Sequence, residues 1–404
     1  MTRLAMFFLD AIRFRDVNPN NTPFLHRMTT EGISGPLGTL LAYEGLAATL
    51  FTGTFPSEHG IWTRYYRDPQ RSPFRWIGPF ARILDKIDST SSIASKALRF
   101  GLMHVSNALA GISYFPGVDE VPLTELAGMN ASLKRNLFEP GCFGRIPSLF
   151  DILQRNGLTF HYFDHGIFDS DATVQRRAFS SNLDEDVNVV RLVDLDTASH
   201  GYGLGTPSML KSLRQTDSLV GQLVSNWRRK SPDLIVLCFA DHGMIPVEGT
   251  VDVERAVRNL HFRPTQRLGM FLDSTMARFW GDPDTLKQVR TVLEGLDSGT
   301  IMSERDLSRY HLPTSPVWGN LIFLAKPGRV ISPNFFDSRG HVKAMHGYDP
   351  ATPGLETIAI LHRPGNTEPR HLSQVRMIDI LPTALGVLGL EAPSHSQGTS
   401  MVNL

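Results

Sequence analysis

The chain has 404 residues, of which 41% are hydrophobic and 20% charged, and its formal net charge is zero. This composition fits a large globular enzyme and excludes a disordered chain, and two cysteines are too few for a disulfide framework. Because no basic excess exists and no apolar run approaches 18 residues, we expect neither a nucleic-acid partner nor a membrane partner.

The first apolar run, LAMFFL, is interpreted as a core strand over Leu4–Leu9. It is too short for the apolar region of a secretory signal, Asp10 follows it directly, and no small-residue cleavage site comes after it. The expected location of the protein is therefore the cytoplasm.

Further apolar runs predict strands at 159–163, 189–195, 234–239, 321–324 and 357–361. Several are apolar throughout, which is typical of strands that are covered on both faces. Amphipathic segments lie between them, and two of these carry a threonine N-cap followed by proline, at Pro23 and Pro207. The alternation predicts an α/β fold with a doubly wound, mostly parallel sheet and helices on both faces.

Two stretches break this alternation. Residues 62–143 are aromatic-rich and irregular, with one predicted helix at 93–110, and residues 246–320 are mixed. Both are interpreted as insertions that cap the C-terminal edge of the sheet, where ligands bind in such folds. The catalytic core then comprises residues 1–61 and 144–404, with the second, smaller insertion inside it.

Acids and histidines follow several of the apolar runs, and the set is Asp10, Asp196, His200, Asp241, His242 and His346. Such side chains can converge at one edge of a parallel sheet. Three carboxylates and three imidazoles suit two divalent cations, with zinc the expected ion, and two metals can stabilise both oxygens of an in-line displacement at phosphorus. Spacing alone leaves structural roles open: Asp196 and His200 could belong to an exposed turn, and Asp241 could cap a helix.

Six segments, in this order, resemble the alkaline phosphatase superfamily and, within it, the type I phosphodiesterase/nucleotide pyrophosphatase branch. They are FFLDAIRFRDVNPNNTPFLHRM, LFTGTFPSEHGIW, DLDTASHGYG, FADHGM, MHGYDP and MIDILPTALGVLGLEAP. The resemblance implies a doubly wound α/β sheet with two metals at its edge. It also implies the ligand sets: Asp10, Asp241 and His242 for one metal, and Asp196, His200 and His346 for the other. Ser199 stands where the DxxGH pattern of the branch has glycine.

Relatives in this branch carry a threonine or serine nucleophile ten residues before the glycine of a TG pair, and counting back from Gly53 gives Tyr43. Three interpretations remain open. Tyr43 attacks as a phenolate favoured by a neighbouring zinc, or a metal-activated water attacks while Tyr43 or Glu44 positions it, or the site binds without turnover. Tyr43 could also be a packing residue, and Glu44 a first-turn acid favoured by the helix dipole. Arg13 is a candidate contact for a phosphoryl oxygen or a surface cation.

The expected function is a metal-dependent hydrolase of phosphate esters, acting on phosphodiester or pyrophosphate linkages of a small phosphate-containing substrate. The alternatives are a phosphomonoesterase and a catalytically silent protein that binds a phosphate ligand. Sulfatase activity is disfavoured, because neither cysteine nor serine occupies position 43.

Overall fold

The computed structural model describes residues 3–88, 92–112, 120–165, 169–181, 183–260, 262, 267–336, 342–365 and 368–404. The strands in chain order are β1 (Leu4–Leu9), β2 (Ile33–Gly38), β3 (Tyr65–Arg67), β4 (Met129–Ala131), β5 (Phe160–Phe163), β6 (Val187–Leu192), β7 (Ile235–Phe239), β8 (Ile245–Pro246), β9 (Gly249–Val251), β10 (Leu268–Leu272), β11 (Met276–Gly281), β12 (Gly299–Ile301), β13 (Leu321–Ala325), β14 (Arg329–Ile331), β15 (Ala344–Met345), β16 (Thr357–His362), β17 (Arg370–His371) and β18 (Val375–Arg376).

The helices are α1 (Pro23–Glu31), α2 (Glu44–Thr52), α3 (Pro56–His59), α4 (Ala81–Asp88), α5 (Ser92–Ala110), α6 (Leu123–Leu126), α7 (Leu149–Arg155), α8 (Asp171–Ser180), α9 (Asp194–Tyr202), α10 (Pro207–Lys230), α11 (Val253–Arg258), α12 (Pro283–Glu294), α13 (Glu304–Arg309) and α14 (Ile380–Val387). Short 3-10 helices occupy Phe14–Asp16, Arg75–Phe80, Pro316–Trp318 and Met377–Asp379. None of the described helices is long and apolar enough to span a bilayer.

The central sheet has eight strands. β5, β6, β1 and β7 lie side by side in parallel. β16 runs antiparallel between β7 and β2, and the short strands β17 and β18 pair in parallel with β2. The predicted mostly parallel sheet is confirmed.

The burial of β1 shows why helices cover both faces of this sheet. Met6 and Phe8 pack into an apolar core with residues of α2, α7 and α14, whereas Phe7 and Leu9 pack with residues of α1, α8 and α10. Successive side chains of a strand point to opposite faces, so a strand that is apolar throughout needs a helical layer on each side. The doubly wound α/β architecture is therefore confirmed.

Two local predictions differ from the structure, and one strand was not predicted. The predicted strand 321–324 exists as β13, but it belongs to a separate antiparallel sheet with the order β10-β11-β13-β12. The run predicted as a strand at 189–195 ends at Leu192, and α9 begins at Asp194. β2 was not predicted, because Gly35, Pro36 and Gly38 are residues that usually interrupt strands.

The two stretches interpreted as insertions share one apolar cluster. Tyr65 and Phe74 from the first stretch pack in it with Phe271 and Phe279 from the second sheet, and Phe323 of β13 joins them. The division of the chain into a core and two insertions stays a prediction, but these side chains already connect the two stretches outside the central sheet.

Candidate metal centre

Asp10 and Asp241 meet because their strands are neighbours. Asp10 directly follows β1, and Asp241 lies two residues beyond β7. The two strands are parallel, with Phe8 opposite Phe239, so both carboxylates emerge at the C-terminal edge of the sheet. The Nε2 atom of His242 lies 3.2 Å from Asp10 Oδ1 and 3.8 Å from Asp241 Oδ1. These three buried side chains form the first group.

The second group combines a helix with a later segment. Asp196 does not follow a strand, as the sequence had suggested, but lies in the first turn of α9. His200 is four residues further along, so the two side chains share one helix face, with 3.4 Å between Asp196 Oδ1 and His200 Nε2. His346 follows β15 and completes the group. Its ring stacks on that of His242, at 3.6 Å between ring centroids, which brings the two groups together.

Backbone carbonyls fix the orientation of two imidazoles. His200 Nδ1 lies 2.8 Å from the carbonyl oxygen of Ala344, and His242 Nδ1 lies 3.1 Å from that of Gly243. A carbonyl only accepts, so each Nδ1 carries a proton, and each Nε2 is the ring nitrogen that faces the carboxylates. This is the arrangement that histidine ligands of metal ions usually have.

Two buried polar atoms of the second group are unsatisfied. Asp196 Oδ1 and His346 Nδ1 have no hydrogen-bond partner among the described residues. Such atoms destabilise a fold by about 1–3 kcal/mol each unless something pairs with them. In each group, the ligand-type atoms lie within 4.8 Å of one another. Both groups therefore fit a divalent cation, in the same division into threes that the resemblance implies.

The electrostatics of the first group reflect crowded acids. Burial, followed by the charge of Asp10, raises the pKa of Asp241 to about 7. Burial alone would lower the pKa of His242, but the Asp241 charge and the contact with Asp10 outweigh it and raise that pKa to about 10. Burial alone would raise the pKa of Asp10. The hydrogen bond from His242 and the charge of Arg191 outweigh burial, so this pKa falls below the usual range for an aspartate. Protons thus serve as the positive charge that a metal would otherwise supply.

We expect the metal-free protein to lose stability as the pH rises from about 6 to about 9. The folded state holds the Asp241 proton up to a pKa of about 7, and this advantage disappears as the pH rises through that value. The proton on His242 contributes its full stabilisation below the ordinary histidine pKa. It is lost as the pH rises toward a pKa of about 10, so the loss of either proton lowers the stability of the fold. The measurement is the midpoint of thermal unfolding of chelated protein across this pH range. A midpoint that rises with pH would contradict the assignment. Added Zn²⁺ should reduce the dependence of the midpoint on pH.

The two groups lie in a cavity of about 680 Å³. All six ligand-type residues line this cavity, and so do Tyr43 and Glu44. The apolar residues that line the cavity are Phe8, Leu46, Ala47, Leu133, Leu137, Phe138, Phe336, Val342 and Met345. The cavity thus offers both polar and apolar side chains to one ligand.

Tyr43 lies where the count from Gly53 had placed it, directly before the first residue of α2. Its hydroxyl is 2.5 Å from Thr275 Oγ1, and the hydroxyl of Thr275 donates to the carbonyl oxygen of Gly347 at 2.6 Å. Since Thr275 has one hydroxyl proton, Tyr43 is the donor of the first bond. Gly347 leaves room for this contact, because a Cβ there would lie 2.7 Å from the Tyr43 hydroxyl oxygen. Burial, and next the charge of Asp273, raise the pKa of Tyr43 above its ordinary value.

The structure separates the two candidate substrate-binding residues. Glu44 lines the cavity and accepts a hydrogen bond from Arg64 Nε at 3.0 Å. Arg13 is not among the described residues that line the cavity, and it forms a buried, bidentate ion pair with Asp16 at 2.6 and 2.7 Å. The structure thus shows Arg13 in an ion pair, and its contact with a phosphoryl oxygen stays a prediction.

Arg191 was missed by the sequence reasoning. It lies in β6, lines the cavity and donates to Asp10 Oδ2 at 3.0 Å, while its Nε has no partner among the described residues. Its guanidinium also lies over the ring of Phe8, 5.2 Å from the centroid. The signal was present, since Arg191 is the one charged residue in an otherwise apolar and amide run, VNVVRL.

A profile of the type I phosphodiesterase/nucleotide pyrophosphatase family matches residues 4–349. This span contains all six residues of the two groups and Tyr43.

Solved structures share the fold. Human ectonucleotide pyrophosphatase/phosphodiesterase 5 superposes with a TM-score of 0.71 at 16% identity, covering 98% of this chain and 97% of that chain. The murine protein gives a TM-score of 0.70 at 15% identity, covering 100% of this chain and 99% of that chain. An inactive variant of the murine protein in complex with AMP gives 0.70 at 14% identity, covering 98% and 97%.

Proposed function

The chain belongs to the type I phosphodiesterase/nucleotide pyrophosphatase family, and from this premise we propose that it hydrolyses a phosphodiester or pyrophosphate linkage of a small molecule with the help of two divalent cations. The observation that carries the proposal is the pair of three-residue groups in one cavity, with the imidazole Nε2 atoms of His200 and His242 already facing carboxylates. Asp10, Asp241 and His242 would hold one ion, and Asp196, His200 and His346 the other. When bound, such ions act as Lewis acids on phosphoryl oxygens, and zinc suits the mixed oxygen and nitrogen ligands.

The charge of the cavity favours a diester over a monoester. Two of its lining residues are arginines, and six are acidic: Asp10, Glu44, Asp164, Asp196, Asp241 and Asp273. With neutral imidazoles this leaves an excess of four negative charges, which two divalent cations would balance. A diester or an internal pyrophosphate linkage brings one negative charge for each phosphorus, whereas a monoester brings about two near neutral pH. Bound in this balanced cavity, the diester therefore leaves a smaller excess of negative charge than the monoester.

Arg191 is proposed to act on both the protein and the substrate. Its hydrogen bond to Asp10 Oδ2 holds that carboxylate with its other oxygen, Oδ1, next to His242. The Arg191 side chain also lines the cavity, so its guanidinium charge lies where it can attract a phosphoryl oxygen. The organic group of the ester would then lie against apolar residues of the cavity lining. The AMP complex of the murine relative supports a ligand of this kind, a phosphate joined to a largely uncharged organic group.

For the attack on phosphorus we propose water as the nucleophile and Tyr43 as a positioning residue. The Tyr43 proton is engaged with Thr275, and through Thr275 the phenol holds the backbone of Gly347, next to His346. Glu44 directly follows Tyr43 in the sequence and lines the same cavity. Its carboxylate is the group that we propose orients the attacking water. A covalent phosphotyrosine would first require the bond from Tyr43 to Thr275 to break.

We expect Tyr43→Phe to slow hydrolysis about tenfold, since it removes one hydrogen bond worth about 1–1.5 kcal/mol. The metal content should not change. Tyr310→Phe is the matched control, because its hydroxyl bonds to Asp349 and Tyr310 is not among the described residues of the cavity lining. A loss on the order of 10³-fold with metals retained, or recovery of a peptide phosphorylated at Tyr43, would instead establish tyrosine as the nucleophile.

The proposed function is tested by comparing kcat/KM for bis(4-nitrophenyl) phosphate and 4-nitrophenyl phosphate with Zn²⁺-loaded protein. We expect the diester to be the better substrate. A higher value for the monoester would show a phosphomonoesterase, and binding of either compound without turnover would show a silent ligand-binding protein.

A further inference from the structure

Five of the six acidic residues that line the cavity already have a partner or a role there. Three belong to the two groups of ligand-type residues: Asp10, Asp196 and Asp241. Two are paired with arginines, Glu44 with Arg64 at 3.0 Å and Asp273 with Arg278 at 2.9 Å. The sixth acid, Asp164, belongs to neither class, so its place in the cavity needs another explanation.

Asp164 reaches the cavity because of its position in the central sheet. It directly follows β5, whose last residue, Phe163, lies opposite Val190 of β6. The residues that come next on the two chain segments are Asp164 and Arg191, and both side chains line the cavity. Since β5, β6 and β1 are parallel, Asp164 emerges at the same edge of the sheet as Asp10.

Arg191 lies between Asp164 and the first group of ligand-type residues. On its other side it is opposite Phe8 of β1, and its guanidinium lies over the Phe8 ring. Neighbouring strands are about 4.8 Å apart, so Asp164 lies on the order of 10 Å from the strand that ends at Asp10. Burial alone would lower the pKa of Arg191, but neighbouring negative charges, that of Asp10 first and that of Asp164 among the others, raise it.

The carboxylate of Asp164 is not used by the fold in the described part of the chain. The hydrogen bond that Asp164 forms there goes through its backbone oxygen, which accepts from Arg177 Nη2. The ion pair of Arg191 is with Asp10, at 3.0 Å. An additional carboxylate in a cavity that already holds several acids is unfavourable, because like charges repel. A ligand that pairs with Asp164 would offset this cost.

We propose that the Asp164 carboxylate binds a hydrogen-bond donor on the organic group of the substrate, a hydroxyl or an ammonium, and thereby selects phosphodiesters that carry one. An ionised carboxylate only accepts hydrogen bonds, so the group that it binds must donate. Hydrogen bonds to a charged acceptor are also stronger than those between neutral groups. This role rests on the proposed function, because it names the substrate class of the same site.

The order of residues along the sheet edge also gives the position of the donor. Arg191 attracts the phosphoryl oxygens, and Asp164 lies one strand spacing further from Asp10, about 4.8 Å away. A donor separated from the ester oxygen by about three carbon atoms can cover such a spacing. Apolar residues of the same lining, among them Phe8 and Phe138, are available to contact those carbon atoms.

The test compares three 4-nitrophenyl phosphodiesters whose second ester group is propyl, 3-hydroxypropyl or 3-aminopropyl, with Zn²⁺-loaded protein. We expect kcat/KM for the better of the two polar esters to exceed that for the propyl ester about tenfold or more, as a hydrogen bond to a charged group predicts. A preference for the amino ester identifies an ammonium as the donor, and a preference for the hydroxyl ester identifies a neutral donor.

Two substitutions of Asp164 then assign the preference to its carboxylate. Asp164→Leu should bring both polar esters to within about threefold of the propyl ester, because no acceptor remains. Asp164→Asn keeps an acceptor oxygen without the charge, so it should lose the preference for the amino ester and keep part of a preference for the hydroxyl ester. Any effect of a substitution on metal binding or on Arg191 is common to the three esters and cancels in the ratios.

Asp233→Asn is the control, because Asp233 is exposed and is not among the described residues of the cavity lining, and it should keep the ratios of the unaltered chain. Equal kcat/KM for the three esters, or ratios that stay the same in Asp164→Leu, would overturn the role of Asp164 while the proposed hydrolysis stands. If none of the three esters is hydrolysed, the proposed function fails, and the role of Asp164 fails with it.

Discussion

Asp241→Asn will slow hydrolysis of an aryl phosphodiester on the order of 10³-fold and reduce the amount of bound metal. Asp241 lies two residues beyond β7, buried beside Asp10 and His242, and its substitution removes one of the three ligand-type residues of the first group. The neutral amide also removes the carboxylate charge that the metal would balance. Rate and metal content are measured on the same preparation.

The same substitution should stabilise the metal-free protein at about pH 8, because Asp241 is then ionised next to another buried carboxylate and the amide is not. This opposite effect separates a metal-binding role from a purely structural one. Asp284→Asn, at an exposed position in the first turn of α12, is the control and should change neither property. Unchanged metal content and rate in Asp241→Asn would remove Asp241 from the centre.

Arg278→Met will lower the free energy of unfolding by about 3–5 kcal/mol, the usual cost of leaving a buried charge without its partner. Arg278 is fully buried, donates to Asp273 at 2.9 Å and to the carbonyl oxygen of Tyr65 at 2.8 Å, and lies over the ring of Phe271. Asp273 lines the cavity, so the ion pair also supports the wall near Tyr43.

Denaturant unfolding of Arg278→Met and Arg290→Met gives the comparison. Arg290 pairs with Glu294 on α12, and both side chains are about half exposed, at 49% and 57%. Exposed pairs of this kind contribute about 0.5 kcal/mol or less. Equal losses in the two variants would mean that the Arg278 pair is no more important than a surface contact. A large loss only in Arg278→Met is the expected result.

The grouping of these acids and histidines was largely predictable because strand ends are visible in the sequence. Asp10 and Asp241 follow apolar runs, and parallel neighbouring strands bring such ends together. Asp196 entered the same set for a partly wrong reason, since its run ends at Leu192 and a helix supplies the residue. The i, i+4 spacing to His200 nevertheless kept both side chains on one face.

Contacts between distant segments were not predictable, and one local contact was overlooked. The bond from Tyr43 to Thr275 joins residues 232 positions apart, and no local pattern indicates it. Arg13 was placed near the phosphoryl group because it follows Asp10 closely in sequence, but Asp16, three residues away, binds it instead. The missed strand β2 has the same origin: its pairing with β16 and β18 overrides the weak strand preference of its glycines and proline.

The central claim is that two metal ions in this cavity are required for diester hydrolysis. The most direct measurement is the rate on bis(4-nitrophenyl) phosphate as Zn²⁺ is titrated into fully chelated protein, with bound zinc measured at each step. We expect no hydrolysis without metal and a rate that reaches its plateau when two ions are bound per chain. Full activity in the chelated protein, or no activity after both ions have bound, would contradict the claim.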